Sequence, residues 1–322
     1  MRRPDAPLFM LALSPGAWVI VVLAVVSSGV VLFRSGDTQT SEATMWTFAA
    51  PHFDIYLPAI EDWNARSDLN VRIEHIGREV MDRRMMSGFL GGVPTADLIE
   101  PERTTASLAF AGPLDAVGFL DLTDRLEAEG LLDAINAPSF SPWTYGGRIF
   151  GIPHDVHPVM LGYRADLVEA AGIDLSDVET WDDLFQALAP LAADRNGDGA
   201  PDHYPLSLWD TNPDMIETLL LQSGGGAFLP DGTVAIDREV NARAIAEMVS
   251  WMVGPDQVAT DVPEFNPSGT ELKRRGHAVC YLMPDWMCNI WRRELPELAG
   301  NVKLMPLPAW EPGGRRTSVW GG

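Results

Sequence analysis

Four short clusters in this sequence join a rigid turn to side chains that hydrogen-bond or stack: Ala50-Pro51-His52, Glu100-Pro101-Glu102, Trp209-Asp210 and Pro284-Asp285-Trp286. Each follows a run that reads as a β-strand. In open α/β sheets ligands sit beyond the carboxyl ends of strands. Rings beside carboxylates suit a sugar, whose C–H faces the rings cover and whose hydroxyls bond to carboxylates and His. A lone Trp at such a place is more often core, and a lone Asp more often a helix cap. It is their repetition at strand ends that points to a site.

The elements that must position these clusters alternate. Thr44 to Ala49 is a short β-prone run, Ile55 to Ser67 has helical spacing, Asn70 to Ile76 alternates at period two, Met81 to Leu90 is helical again, and Ala96 to Ile99 is a short buried strand. A second unit begins near residue 157. It opens with a strand over Val159 to Tyr163 and a helix over Tyr163 to Ala171, and Thr180 caps a helix whose Asp183 reaches back to the cap. Strands over Leu206 to Trp209, Thr233 to Ile236 and Ala278 to Met283 and helices over Asp214 to Ser223 and Asn241 to Met252 complete it. Strand, helix, strand order requires crossovers and predicts the α/β class with mostly parallel sheets.

The chain of 322 residues carries 23 basic and 45 acidic side chains, a net charge of −22. That balance argues against nucleic acid as a partner, because phosphate binding needs a basic patch. Residues 1–44 sum to zero, with Arg2, Arg3 and Arg34 against Asp5, Asp37 and Glu42, so the whole excess lies downstream. Gly16 to Phe33 holds no charge and follows Arg2 and Arg3. Positive flank, apolar run and polar exit describe an export signal or a single membrane anchor, and either puts the body outside the cytoplasmic membrane. Ser35 to Thr44 reads as a linker. Export permits a disulfide between Cys280 and Cys288, and two buried thiols are equally open.

Asp194, Asn196, Asp198 and Asp202, with Gly199, match the first half of a calcium loop, but Pro205 stands where its bidentate Glu belongs. The readings are a structural calcium ion or an Asx and Gly turn that needs none; no other cofactor is required. His154, Asp155 and His157, with His52 brought in by folding, are metal-ligand types, but a His-x-x-His pair on a Pro-flanked extended segment splits its rings poorly, so sugar bonding or hinge packing is expected. Neither G-x-S-x-G nor H-E-x-x-H occurs.

The order of segments resembles the extracellular solute-binding proteins of bacterial ABC importers, the family 1 sugar-binding, maltose-binding-protein-like group. The resemblance rests on Met45-Trp46-Thr47-Phe48, Ala96-Asp97-Leu98-Ile99, Gly151-Ile152-Pro153-His154-Asp155, Leu161 through Leu167, Thr180 through Leu184, Gln222 through Gly225, Gly276 through Trp286, Met305-Pro306-Leu307-Pro308 and Trp320-Gly321-Gly322. It implies a two-lobed type II periplasmic-binding-protein fold: a first lobe over 45–156, a second over 157–317, and 318–322 as the start of a return crossover. In such proteins the chain then runs on for roughly a hundred residues or more, so the remainder of the first lobe is expected to be missing here. The resemblance places His52, Glu100, His154, Asp155, Trp209, Asp210, Trp286, Trp320 and Gly321 around the ligand, with Trp286 stacking on sugar. His52 and Ile99-Glu100 look most like oligosaccharide binders of the lactose and arabinose type.

These readings lead to a non-enzymatic, monomeric protein of the periplasm or cell exterior. It is expected to capture a carbohydrate, deliver it to an ABC permease, and close about a hinge. Two others compete: a secreted glycoside hydrolase using carboxylates such as Glu100 and Asp155, and a membrane-tethered sensor ectodomain held by residues 16–33.

Overall fold

The computed structural model describes residues 18–23, 25, 42–194, 196–197, 199–229 and 232–322. Most of the expected signal or anchor therefore lies outside the described residues; of the apolar run, 18–23 and 25 are helical and exposed. Among the described residues no helix is long and apolar enough to cross a membrane. The chain divides into two compact units, one up to Pro101 and one from Glu102.

The first unit is a three-stranded parallel sheet ordered β2-β1-β3. β1 spans Glu42–Thr47, β2 Asn70–His75 and β3 Leu98–Glu100, with α1 (Ala50–Asn64) and α2 (Arg78–Gly91) as the crossovers. β1 takes in residues 42–44, which the sequence assigns to a linker. Asp97 explains the earlier start: its carboxylate accepts from the backbone N–H of Thr44 at 2.8 Å and from its hydroxyl at 3.1 Å, tying that end of the strand to β3. α1 begins at Ala50, ahead of the expected Ile55, because Pro51 occupies a first-turn position whose missing N–H costs a helix nothing. At its far end the Asn64 amide exchanges two hydrogen bonds with the backbone of Val71, at 2.7 and 2.9 Å, and so sets where β2 starts. α2 buries Met81 and Met85 and ends on Gly92, whose φ of +65° suits glycine.

The second unit opens with short elements: α3 (Arg103–Leu108), α4 (Thr123–Ala128), α5 (Leu131–Ala134) and a hairpin of β4 (Thr144–Tyr145) and β5 (Arg148–Ile149). Gly146 and Gly147 both have positive φ, as a two-residue type I′ turn demands. Phe110 anchors this segment, stacked on Tyr145 at 5.8 Å and packed on Phe150 at 5.8 Å. Residues 102–156 fall within this second compact unit.

The main sheet of this unit runs β10-β6-β9-β7-β8, with β11 also on β6. Its strands are β6 (Pro158–Arg164), β7 (Tyr204–Ser207), β8 (Ala259–Thr260), β9 (Ala278–Pro284), β10 (Val302–Met305) and β11 (Ser318–Val319). α6 (Ala165–Ala170), α7 (Trp181–Leu188), α8 (Pro213–Gln222), α9 (Glu239–Met252), α10 (Pro267–Arg275) and α11 (Asp285–Glu294) cover it. All seven residues of β9 are buried, as a near-continuous apolar run requires. The expected capping box on α7 is present, with Thr180 and Asp183 bonding reciprocally. Tyr163 belongs to β6 and not to the helix after it, β7 stops at Ser207, and the expected 233–236 strand is reduced to a bridge between Phe228 and Val234.

β7 is parallel to β8 and β9, but β6 is antiparallel to β9, β10 and β11. The α/β class holds while this sheet is mixed, because strand direction depends on which strands finally pair and not on the local alternation of strand and helix. This mixing positions the site. The start of β6 lies beside the end of β9, Val159 facing Pro284, and beside the end of β11, Pro158 facing Val319. The carboxyl ends of β7, β8, β9 and β11 therefore share one rim of the sheet with the amino end of β6.

Candidate functional site

In the first unit Glu100 ends β3, directly opposite Thr47 at the end of β1. The Thr47 hydroxyl donates to Glu100 Oε2, His52 Nδ1 lies 2.5 Å from Oε1, and the Tyr56 hydroxyl donates to Oε1 at 3.5 Å. His52 and Tyr56 are four apart on α1, so one helix face delivers both. Glu100 is buried, which such a carboxylate tolerates only when hydrogen-bonded. His52 sits in the first turn of α1 and not in a loop, because the helix begins at Ala50.

In the second unit His157 immediately precedes β6. Its Nε2 is 2.9 Å from Asp155 Oδ2 and its Nδ1 is 2.6 Å from Asp285 Oδ1. Burial disfavours its charged form, but hydrogen bonds and charge from Asp155 and Asp285 outweigh burial and raise its pKa above the ordinary value. Both ring nitrogens are thus engaged by carboxylates. His154 Nε2 is 3.4 Å from Asp155 Oδ2, the same oxygen that faces His157.

Trp286 stands in the first turn of α11, just past β9. Its Nε1–H donates to the Trp320 carbonyl at 3.2 Å, and its ring meets Trp320 edge-on at 5.8 Å. Trp320 itself is 2 % exposed, so it supports Trp286 from the core side. Gly321, at φ +92°, packs where a Cβ would come within 3.2 Å of Trp286 Nε1 and 3.3 Å of His157 Cδ2. Trp209, past β7, is half-buried, and the Asp210 carboxylate lies near that of Asp261, past β8. Burial first, and then the charge of Asp210, push the Asp261 carboxyl up.

Sequence reasoning missed one contributor. Phe265 lies between Trp209 and Trp286, 6.1 Å from each ring. Its one signal is a lone aromatic ahead of an Asn-Pro helix start. Asp285 stands in the sequence cluster beside Trp286, but its pairing with His157, 128 residues away, comes only from the fold.

Of the expected calcium ligands, Asp198 lies outside the described residues. Asp194 accepts from the backbone N–H groups of Gly197 at 2.6 Å and Gly199 at 2.9 Å, and the Asn196 amide donates to Asp202 at 3.1 Å. The turn thus closes on its own hydrogen bonds. Cys280 and Cys288 are free thiols.

Residues 53–322 match the family model for bacterial extracellular solute-binding proteins. The arabinooligosaccharide-binding proteins of Halalkalibacterium halodurans and Bacillus subtilis are 25% and 24% identical to this chain, over 88% and 89% of it. The chain spans 62% and 65% of those two relatives. In fold it is similar to the ABC-transporter-associated binding protein of B. animalis subsp. lactis Bl-04, solved with β-1,6-galactobiose. The TM-score is 0.65 at 18% identity, over 88% of this chain and 67% of that one. The match over residues 53–322, on a fold of this type, makes the chain a member of the bacterial extracellular solute-binding protein family.

Proposed function

We propose that this protein captures an oligosaccharide outside the cytoplasmic membrane and delivers it to the permease of an ABC importer, acting as a monomer without catalysis. The observation that carries this reading is the Trp286 ring, held by the Trp320 carbonyl at the carboxyl end of β9 beside the Asp155–His157–Asp285 network. A ring fixed from behind offers an apolar face, and neighbouring carboxylates and imidazoles accept and donate to hydroxyls; together these are the needs of a sugar. In the first unit Glu100, His52 and Tyr56 supply hydrogen-bonding groups of the same kind. The names of the two arabinooligosaccharide-binding relatives support a pentose oligosaccharide as the first ligand to try. Within the same proposal, the apolar run over 16–33 serves as an export signal or membrane anchor, and a calcium ion at the 194–202 turn would have a structural part only.

The test is a thermal-shift and calorimetric screen of the whole chain against arabino-oligosaccharides, lactose, maltotriose, amino acids and calcium, with a reducing-end assay alongside. Saturable binding of a saccharide without release of reducing ends supports capture. Turnover, or binding of amino acids alone, overturns it.

A further inference from the structure

His157 closes a ring of contacts behind Trp286. Its Nδ1 meets Asp285 Oδ1, which also accepts from the Trp286 backbone N–H at 2.8 Å. The Trp286 indole N–H donates to the Trp320 carbonyl, and the Trp320 backbone N–H returns to the His157 carbonyl at 3.2 Å. Segments around 155–157, 285–286 and 320–321 are thereby joined at one rim of the sheet, and Gly321 is wedged between the Trp286 and His157 rings. Both donors to Asp285 meet the same oxygen, so Oδ2 of this half-exposed carboxylate is the one left for a ligand hydroxyl.

The geometry sets the protonation state that this ring of contacts needs. An ionised carboxylate offers lone pairs and no proton, so the His157 nitrogens at 2.6 Å from Asp285 Oδ1 and 2.9 Å from Asp155 Oδ2 must both donate. A neutral imidazole has one N–H and the imidazolium has two. When the proton leaves to solvent, one nitrogen turns a lone pair on an oxygen lone pair, and the network gives up Asp285 or Asp155. Those two are the charges that act on the ring, with His154 facing it across Asp155 Oδ2. The other titratable groups on this part of the packing, Cys280 and Tyr281 of β9 and Cys288 of α11, are kept neutral by burial. We propose that His157 is a positioning residue for the ligand: as an imidazolium it holds the Trp286 face and Asp285 Oδ2 in register, so that saccharide is bound more tightly on the acid side and released as pH rises. This rests on the carbohydrate reading above and adds to it a regulation of the same site.

The experiment titrates the whole chain calorimetrically with arabinotriose and maltotriose at pH ~5.5, ~7 and ~8.5, as wild type and as H157Q, and records thermal midpoints and imidazole nitrogen-15 shifts in the same buffers. Wild type is expected to lose about tenfold or more in affinity from pH ~5.5 to ~8.5 while still folded, the worth of one hydrogen bond to a charged group. The midpoint of that loss should match the pH at which the His157 ring gives up its proton. Glutamine donates through its amide but does not titrate, so H157Q is expected to bind more weakly than wild type at pH ~5.5 and to change little with pH. A wild-type affinity that is flat with pH, or a loss whose midpoint departs from the His157 titration, overturns the proposal, as does an equal pH slope in H157Q. The first two comparisons use the wild type alone and decide the matter even where H157Q does not fold. A wild-type chain that binds no saccharide at any of these pH values overturns the carbohydrate reading itself, and this inference with it.

Discussion

His157 and Asp285 are 128 residues apart in sequence, yet Nδ1 of one lies 2.6 Å from Oδ1 of the other. The antiparallel pairing of β6 with β9 brings them together: the first residue ahead of one strand meets the first residue past the other. Asp155 on the opposite ring edge completes a carboxylate–imidazole–carboxylate chain, with His154 facing the same Asp155 oxygen.

This chain makes stability depend on pH in a stated direction. The His157 pKa is raised in the folded protein, so folding favours its protonated form. Its contribution is full below the unfolded value of about 6.5 and is lost as pH rises through the raised folded value. His277 works in the opposite sense, since burial and then His203 lower its pKa. Subtracting an H157Q variant from the wild type isolates the first effect. The gap in thermal midpoint between them is expected to be widest near pH ~5.5 and to narrow towards pH ~8.5. A gap that does not change with pH would count against this assignment.

Lys273 and Glu264 form an ion pair with side chains only 2 % and 4 % exposed, and the ammonium also lies 5.3 Å from the centroid of the Trp291 ring. Removing one partner leaves a buried charge or forces its neutralisation, whereas replacing both by apolar groups removes the desolvation cost together with the attraction. K273M is therefore expected to lose about 3–5 kcal/mol, and E264L/K273M to recover most of it. Urea unfolding of the two variants checks this; a single variant no worse than the double would show that the pair is not energetically coupled.

The same residues mark how far the sequence could be read. Local pattern sufficed for the parallel first unit, where Asn70 to His75 alternates and Met81 and Met85 share a helix face, and for the Thr180–Asp183 box, whose two members are three residues apart. It also marked the strand ends that carry Glu100, Trp209 and Trp286. It did not give the mixed direction of the second sheet, because β10 and β11 reach β6 from more than a hundred residues away. Residues 102–157 form elements of two to seven residues, too short for a period to show. Phe265 was hidden for a different reason. Its exposure follows from Glu264 being turned inward to Lys273 and Asn266 capping α10, and no local hydrophobic pattern records either constraint.

Gly269 tests how firmly that loop is held. Alanine in a helix interior ordinarily gains up to about 1 kcal/mol over glycine. Here its Cβ would meet the Pro263 carbonyl oxygen, a backbone atom that cannot rotate away. G269A is expected to lower stability by about 1–3 kcal/mol, the range for overpacking, in spite of the better propensity. Denaturant titration reads the loss. A stabilised G269A would mean that the 261–266 segment gives way readily, and with it the anchored position of Phe265.

Trp286 separates two contributions that one truncation would merge. Its ring face is the part proposed to meet ligand, and its Nε1–H is bonded to the Trp320 carbonyl. W286F keeps an aromatic face and removes the donor. Trp320 is buried, so its carbonyl loses this partner where water has little access, at a cost of about 1–3 kcal/mol in stability. W286A removes the face as well. In calorimetric titration with an oligosaccharide that binds the wild type, W286F is expected to lose several-fold in affinity. W286A should lose about 2 kcal/mol or more, the loss typical of a stacked aromatic anchor. Equal affinities for W286F and W286A would assign the effect of Trp286 to the hydrogen bond that fixes the 320–321 turn, and would remove stacking from its role.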